Sequence, residues 1–405
     1  SMIVRPWIAF QLTDSPLALG IIGAMVAVPM ILVAPFGGVV ADRLERRNLI
    51  VIGQSAVIAS ELLILGLLWM GILEFWQLVL ASLVMGCVFP FTMPARLAIV
   101  VNIVGKRGLA NAMGLSMGSM NATRMIAPAI AGVLIWLVDV ERTYLFGVVL
   151  YVIALLCMFG VDRTYPAERA EETSVMADVA EGFRYMRDHR VVLVLLLFGL
   201  VPMFLAMPFQ TLLVVFTDRI WDVGPQGLGV LQAVAGFGGF AGSIYVAWQG
   251  ERGGRLRQMM TSVLAFGGFV LLFALSPWFL LALPLVFASN IFASVFQTLN
   301  NTMIQQLIPD HVRGRISSFL MMSFGLPLLG TLPMSAVAEL YGAPVAVACA
   351  AVFAIVVAIA FYLFSPALRG IGTSVAAAMA EVDEMDAAAE SAPDPAPRAG
   401  RELSG

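Results

Sequence analysis

The chain has 405 residues, of which 60% are hydrophobic and 12% charged, with a formal charge of −3 and a mean hydropathy of +0.93. Soluble domains carry about 25% charged residues, so a water-soluble protein with a large core is excluded. Apolar runs of about 20 residues recur without period-two alternation, which selects bilayer-spanning helices over a β-barrel.

Residues 1–12 are apolar but too short to span. They read as the outer part of a first helix whose beginning is absent, entering the turn Thr13-Asp14-Ser15-Pro16. A second helix is expected from about Leu17 to Ala41, bent by Pro29 and Pro35. A third covers about Asn48–Gly71, a fourth Phe75–Ala98, a fifth Gly108–Val138 and a sixth Thr143–Val161. Residues 163–189 are rich in charge, and Val175, Val179, Phe183 and Met186 recur near helical period, as in a surface amphipathic helix. Six more spans follow: about Val191–Thr217, Gly227–Trp248, Met259–Leu275, Trp278–Met303, Val312–Leu340 and Ala343–Phe364. The tail is rich in Ala, Glu, Asp and Pro, the composition of a disordered segment. The resulting organisation is a first bundle at 1–162, a linker at 163–189, a second bundle at 190–366 and a disordered tail at 367–405.

The two bundles repeat one another. Pro16 falls on Pro225, Gly20 on Gly229, Asp42 on Glu251, Arg43 on Arg252 and Arg46 on Arg255, all at one ungapped shift. A repeat of that length in apolar helices predicts two homologous membrane halves. Basic residues collect in five loops on one side: Arg43, Arg46 and Arg47; Lys106 and Arg107; Arg163 to Arg190; Arg252, Arg255 and Arg257; Arg313 and Arg315. The opposite side has Arg142 and Arg219 alone. The positive-inside rule then places those loops, the linker and the tail of a multi-pass protein in the cytoplasm.

Gly38 to Arg47 reads Gly-x-x-x-Asp-Arg-x-x-Arg-Arg, the loop signature after the second helix of the major facilitator superfamily, which the chain resembles. Leu12 to Gly20, Pro94-Ala95-Arg96, Glu181 to Arg187 and Pro309 to Arg315 resemble its drug:proton antiporter branch, with the enterobactin and macrolide exporters. The resemblance implies an all-α integral membrane fold of two six-helix bundles, twelve transmembrane helices with the first incomplete. It also implies proton-driven efflux of a drug- or siderophore-like amphipathic small molecule by alternating access, with no cofactor beyond the proton gradient. The chain is expected to be a monomer in the lipid bilayer of the bacterial inner membrane and not an enzyme. Alternatives are a lipid or lysolipid transporter, an importer of the same fold, or a non-transporting membrane receptor on this scaffold. Pro128 and Gly132 in Arg124-Met125-Ile126-Ala127-Pro128-Ala129-Ile130-Ala131-Gly132 resemble the family's antiporter motif, with Ala127 where glycine is usual. The arginine-glutamine pair that many such antiporters carry in helix four is missing.

Gly38, Asp42, Arg43, Arg46 and Arg47, echoed by Glu251, Arg252 and Arg255, read either as topology markers or as a conformational latch. In the latch, the carboxylate meets an arginine and a helix N-terminus. Glu61, deep in helix three, is either a proton carrier or a structural hydrogen-bonding group. Arg124, deep in helix five, meets Glu61, an anionic substrate group or backbone carbonyls between the bundles, and Arg5 meets either a charged ligand or Glu61. Asn290, Ser294, Gln297 and Asn301 lie on one face of helix ten, facing either a substrate cavity or another helix, and Gln210 in helix seven is a similar candidate. The glycines Gly236, Gly238, Gly239 and Gly242 suit close packing between the halves. Cys87, Cys157 and Cys349 read as inert buried thiols. There is no P-loop, catalytic triad, metal-ligand spacing or nucleic-acid surface, and His189 and His311 read as ordinary loop residues.

Overall fold

The computed structural model describes residues 4–161, 184, 187, 190–249, 254–307, 325–366 and 370; within its helices some side chains, chiefly at 35–43 and 97–136, lie outside that description. Every regular element among the described residues is a helix. The first half holds α1 (Val4–Thr13), α2 (Pro16–Arg43), α3 (Arg46–Trp69), α4 (Phe75–Val138) and α5 (Val140–Phe159). The second holds α6 (Arg190–Val201), α7 (Phe209–Val215), α8 (Gly224–Gln249), α9 (Arg255–Ala274), α10 (Phe279–Leu307), α11 (Leu326–Tyr341) and α12 (Ala343–Phe364).

Local chemistry sets the helix ends. Ser15 is extended, with φ −127° and ψ 120°, and Pro16 occupies the first turn of α2, where its missing amide hydrogen costs nothing. Asp14 before it has φ 50°, and Asp222 before α8 has φ 51°. Both halves thus enter their second helix through a left-handed aspartate, a conformation this residue tolerates better than most. At the start of α4, the Glu74 amide donates to Gln77 Oε1 at 2.9 Å in a capping box. At the start of α5, the Arg142 amide donates to Asp139 Oδ1 at 2.9 Å.

Nine helical stretches are long and apolar enough to cross a membrane among the described residues. The other three of the twelve expected spans correspond to the short α1, the second part of α4 and α11. Two boundaries differ from expectation. Helices four and five form one continuous 64-residue helix. The stretch 99–107 contains no proline, and the backbone stays helical through Lys106 and Arg107. Span seven, expected as one helix, is α6 and α7 joined through a π-helical turn at Pro202–Ala206 and ended by another at Phe216–Ile220. Pro202 and Pro208 remove amide donors from the helical ladder, so its pitch changes there.

The halves meet along α2 with α11 and α4 with α8. A β-carbon at Gly20 would lie 2.9 Å from Leu332 Cα, and one at Gly23 would lie 2.3 Å from Thr331 Oγ1. The absence of side chains there lets the backbones touch. Two of the α8 glycines serve a different seam. Gly238 and Gly242 press on the Phe287 and Ile291 carbonyls of α10, within the second half, not between the halves. Phe198, Phe209, Phe216, Phe266, Phe273 and Phe296 are fully buried in the core. Cys157 and Cys349 are exposed on the helix surface and Cys87 is half-buried, which corrects the expectation of buried thiols. Their neighbours along α5 and α12, such as Leu156 and Phe353, are exposed apolar residues, as expected of surface facing lipid.

Candidate functional site

Inside the first half, α1, α3, α4 and α5 bring together Arg5, Glu61, Ser82 and Tyr144. Glu61 is 2% exposed and Arg5 3%. The Glu61 carboxylate accepts from the Arg5 guanidinium on one oxygen and from the Tyr144 hydroxyl on the other. Arg5 Nη1 also donates to Ser82 Oγ at 3.2 Å, and Ser82 in turn donates to the Leu78 carbonyl at 2.8 Å. Arg5 Nε has no hydrogen-bond partner among the described residues. A cavity of about 20 Å³, room for about one water, adjoins the cluster and is lined by Val4, Glu61, Thr143, Tyr144 and Tyr151 among others. Glu61 lies about 12 Å of helical rise from the Trp69 end of α3, so it sits off centre toward that end. A carboxylate at this depth is retained only when paired and hydrogen-bonded, and this one is both.

A second polar group joins the halves at the face of the α1–α2 turn. Gln11 Nε2 donates to Asp218 Oδ1 at 3.0 Å. Arg219 Nη2 donates to the Asp14 carbonyl and to Asp14 Oδ1, both at 2.5 Å, with its guanidinium 5.1 Å from the centre of the Phe10 ring. The Ser15 hydroxyl and the Leu17 amide donate to Glu339 Oε2 at 2.7 and 3.2 Å, so a carboxylate of α11 caps the N-terminus of α2. The π turn at Phe216–Ile220 carries both Asp218 and Arg219 and aims both at the first half. Behind it, Phe216, Trp221 and Phe273 pack with ring centres 4.9 to 5.6 Å apart, and Trp221 Nε1 donates to the Ser276 carbonyl at 3.3 Å. This arm of the contact is braced by α9.

The remaining candidates are distributed as follows. Arg5 forms the pair with Glu61 that the sequence offers as its alternative to a cavity position. In the loop signature, Arg47 donates to the Met158 carbonyl at 3.2 Å and the Phe159 carbonyl at 2.9 Å. It thereby clamps the C-terminus of α5, a contact within one half. Arg46 opens α3 and Arg255 opens α9, both half-buried. Gly38, Asp42 and Arg43 fall within α2, and Arg124, Pro128 and Gly132 within α4, with their side chains outside the described set; Glu251 and Arg252 lie outside the described residues. On α10, Asn290 accepts from Gln210 at 3.1 Å and Ser294 shares a hydrogen bond with Ser243 at 2.9 Å. Those two positions therefore face α7 and α8. Gln297 and Asn301 bond to each other at 3.4 Å along the same helix. Sequence reasoning missed Tyr144, Ser82, Gln11, Asp218 and Glu339. Of these, Tyr144 had a signal: it stands in the first turns of an otherwise apolar span, where a buried hydroxyl needs a partner.

A family model described as a transmembrane secretion effector matches residues 2–391. The staphyloferrin A transporter of Staphylococcus aureus is 23% identical over 369 residues, covering 90% of this chain and 91% of that protein. The multidrug efflux pump Tap of Mycolicibacterium fortuitum is 26% identical over 329 residues, 78% of this chain and 79% of that protein. Among solved structures, a bacterial homologue of the human lysosomal transporter Spinster superposes with a TM-score of 0.70 at 16% identity, covering 92% of this chain and 95% of the other. That likeness establishes the fold.

Proposed function

This chain belongs to the transmembrane secretion effector family of major facilitator transporters, and on that premise we propose that it exports an amphipathic small molecule from the bacterial cytoplasm in exchange for protons. The loop charges make the face of the α1–α2 turn extracellular, with the linker and tail cytoplasmic. The observation that carries the proposal is the bridge between the halves at that face: Gln11 with Asp218, Asp14 with Arg219, and Glu339 with Ser15 and Leu17. It acts as an outer seal, which must open for a ligand taken from the inside to leave. The close seam of Gly20 and Gly23 on α11 lets the halves rock about one another without repacking large side chains. A siderophore- or drug-like cargo is supported by what the relatives are named for. Gln297 and Asn301, which bond to each other along α10, are the positions of that row assigned to meet it. Asp42, with Arg43 and Arg46, is the corresponding latch at the cytoplasmic face. No bound cofactor takes part, and the monomer is the working unit.

The test is accumulation in cells carrying the full chain, using a labelled macrolide, a ferric siderophore and tetraphenylphosphonium as probes. Export predicts lower accumulation of at least one probe, restored to the control level by a proton uncoupler and by Asp42→Asn. Raised accumulation identifies an importer, and no change for any probe refutes the proposal for this cargo class.

A further inference from the structure

We infer that Glu61 is the proton carrier of the exchange, that Arg5 and Tyr144 hold its ionised form, and that α1 transmits the change to the outer seal. This rests on the proton-exchange reading and names the group that performs it.

Three placements support it. First, the carboxylate has two donors matched to its charged form, Arg5 and the Tyr144 hydroxyl, at a site from which bulk solvent is excluded. The groups facing Glu61 are Arg5 from α1, Tyr144 and Tyr151 from α5, and Ser82 from α4 through Arg5. Among the described residues, Arg5 is its ion-pair partner. A proton on Glu61 Oε therefore removes the counter-charge of a buried guanidinium, an arrangement that strongly destabilises whatever conformation enforces it. Among the described residues, Arg5 Nε already lacks a hydrogen-bond partner.

Second, α1 is ten residues long, about 15 Å, with Arg5 near one end and Gln11 and the Asp14 turn at the other. A shift of α1 that lets Arg5 find water or a carbonyl also draws Gln11 from Asp218 and Asp14 from Arg219. The ionised Arg5–Glu61 pair thus locks the seal, so an empty, deprotonated carrier stays closed to the outside. Protonation unlocks it.

Third, the adjoining cavity of about 20 Å³ is lined by Thr143 and Tyr144 at the extracellular end of α5. Its lining continues along α5 through Gly147 and Val148 to Tyr151, and it offers one water position beside the carboxylate. Tyr144 keeps its own proton throughout. The transferred proton comes from extracellular water, resides on Glu61 Oε while the seal is open, and leaves to cytoplasmic water as the Arg5–Glu61 pair re-forms and the seal closes.

The experiment is a distance measurement by electron–electron double resonance on the full chain in lipid nanodiscs. Labels are placed at the exposed positions Leu12 and Tyr341, which lie across the seal, with the three cysteines replaced by serine. Lowering the pH from 8 into the range where carboxylates protonate is expected to raise the long-distance fraction about tenfold. Glu61→Gln should give the long distance at both pH values, whereas Glu61→Asp should still respond. Tyr144→Phe keeps the ring and loses the donor, and should move the midpoint of the response. A wild type whose distances ignore pH, or Glu61→Gln that responds as wild type does, overturns the inference. Should Glu61→Gln fail to fold, Tyr144→Phe and Arg5→Lys decide, and wild-type midpoints in both overturn it. Proton-driven export retained by Glu61→Gln removes the assignment and leaves the exporter. A pH-responsive seal in a protein that moves no probe removes the exporter and leaves the switch.

Discussion

Replacing Arg219 by alanine removes the whole second-half side of one clasp in the seal. The guanidinium makes two charge-assisted hydrogen bonds to Asp14 and lies over Phe10. The Arg219 and Asp14 side chains are 41% and 80% exposed, so the ion pair itself is screened and contributes at most about 1 kcal/mol. The cation–π contact adds about 0.5–1 kcal/mol at such a surface. The loss of about 1–2 kcal/mol shifts the ratio of open to sealed molecules by about 5- to 30-fold. The same label pair across the seal reads that ratio directly. Asp14→Asn keeps a residue that tolerates the left-handed backbone while removing the charge, so it should produce a smaller shift of the same sign. The double variant should fall short of the sum of the two, because the residues are partners. Strict additivity, or a sealed fraction unchanged by Arg219→Ala, would refute the reasoning that this contact holds the halves together.

Gly23→Val should wedge α2 from α11, because its first added carbon meets Thr331 Oγ1 and the Leu328 carbonyl; a stability loss of about 1–3 kcal/mol, read by thermal unfolding in detergent, and loss of transport are expected. Arg47→Ala should leave the Met158 and Phe159 carbonyls to water, costing about 0.5–1.5 kcal/mol, with partial rescue by lysine in the same melting assay. Trp221→Ala should empty the aromatic brace behind Asp218 and Arg219; the expected cost is about 3–5 kcal/mol, with broader label distances across the seal.

The architecture was legible because hydropathy and loop charge act over whole helices, and the repeat adds a second reading of the same signal. The entry into each half's second helix was legible in the same way, since Asp14-Ser15-Pro16 and Asp222 to Pro225 carry their turn chemistry locally. Glu61 and Arg5 stood out individually as costly charges in apolar runs. That they bond to one another, and that Tyr144 completes the pair, depends on packing between helices far apart in sequence. The outer seal was invisible for a different reason. Gln11, Asp218 and Glu339 have ordinary loop-end chemistry, and their meaning comes from facing each other across the two halves. The α10 row illustrates the limit of periodicity: it places Asn290 and Ser294 on one face, but it does not distinguish water from Gln210 and Ser243 as the partner. The continuous α4 shows the same limit for boundaries, since a charged pair such as Lys106-Arg107 does not itself stop a helix.

Proton–substrate exchange is tested most directly in sealed proteoliposomes carrying a pH indicator on one side and a macrolide or tetraphenylphosphonium gradient across the membrane. The account predicts proton movement against the flow of the probe, abolished by Glu61→Gln while probe binding persists. Probe flux with no accompanying proton movement in the wild-type protein would contradict it.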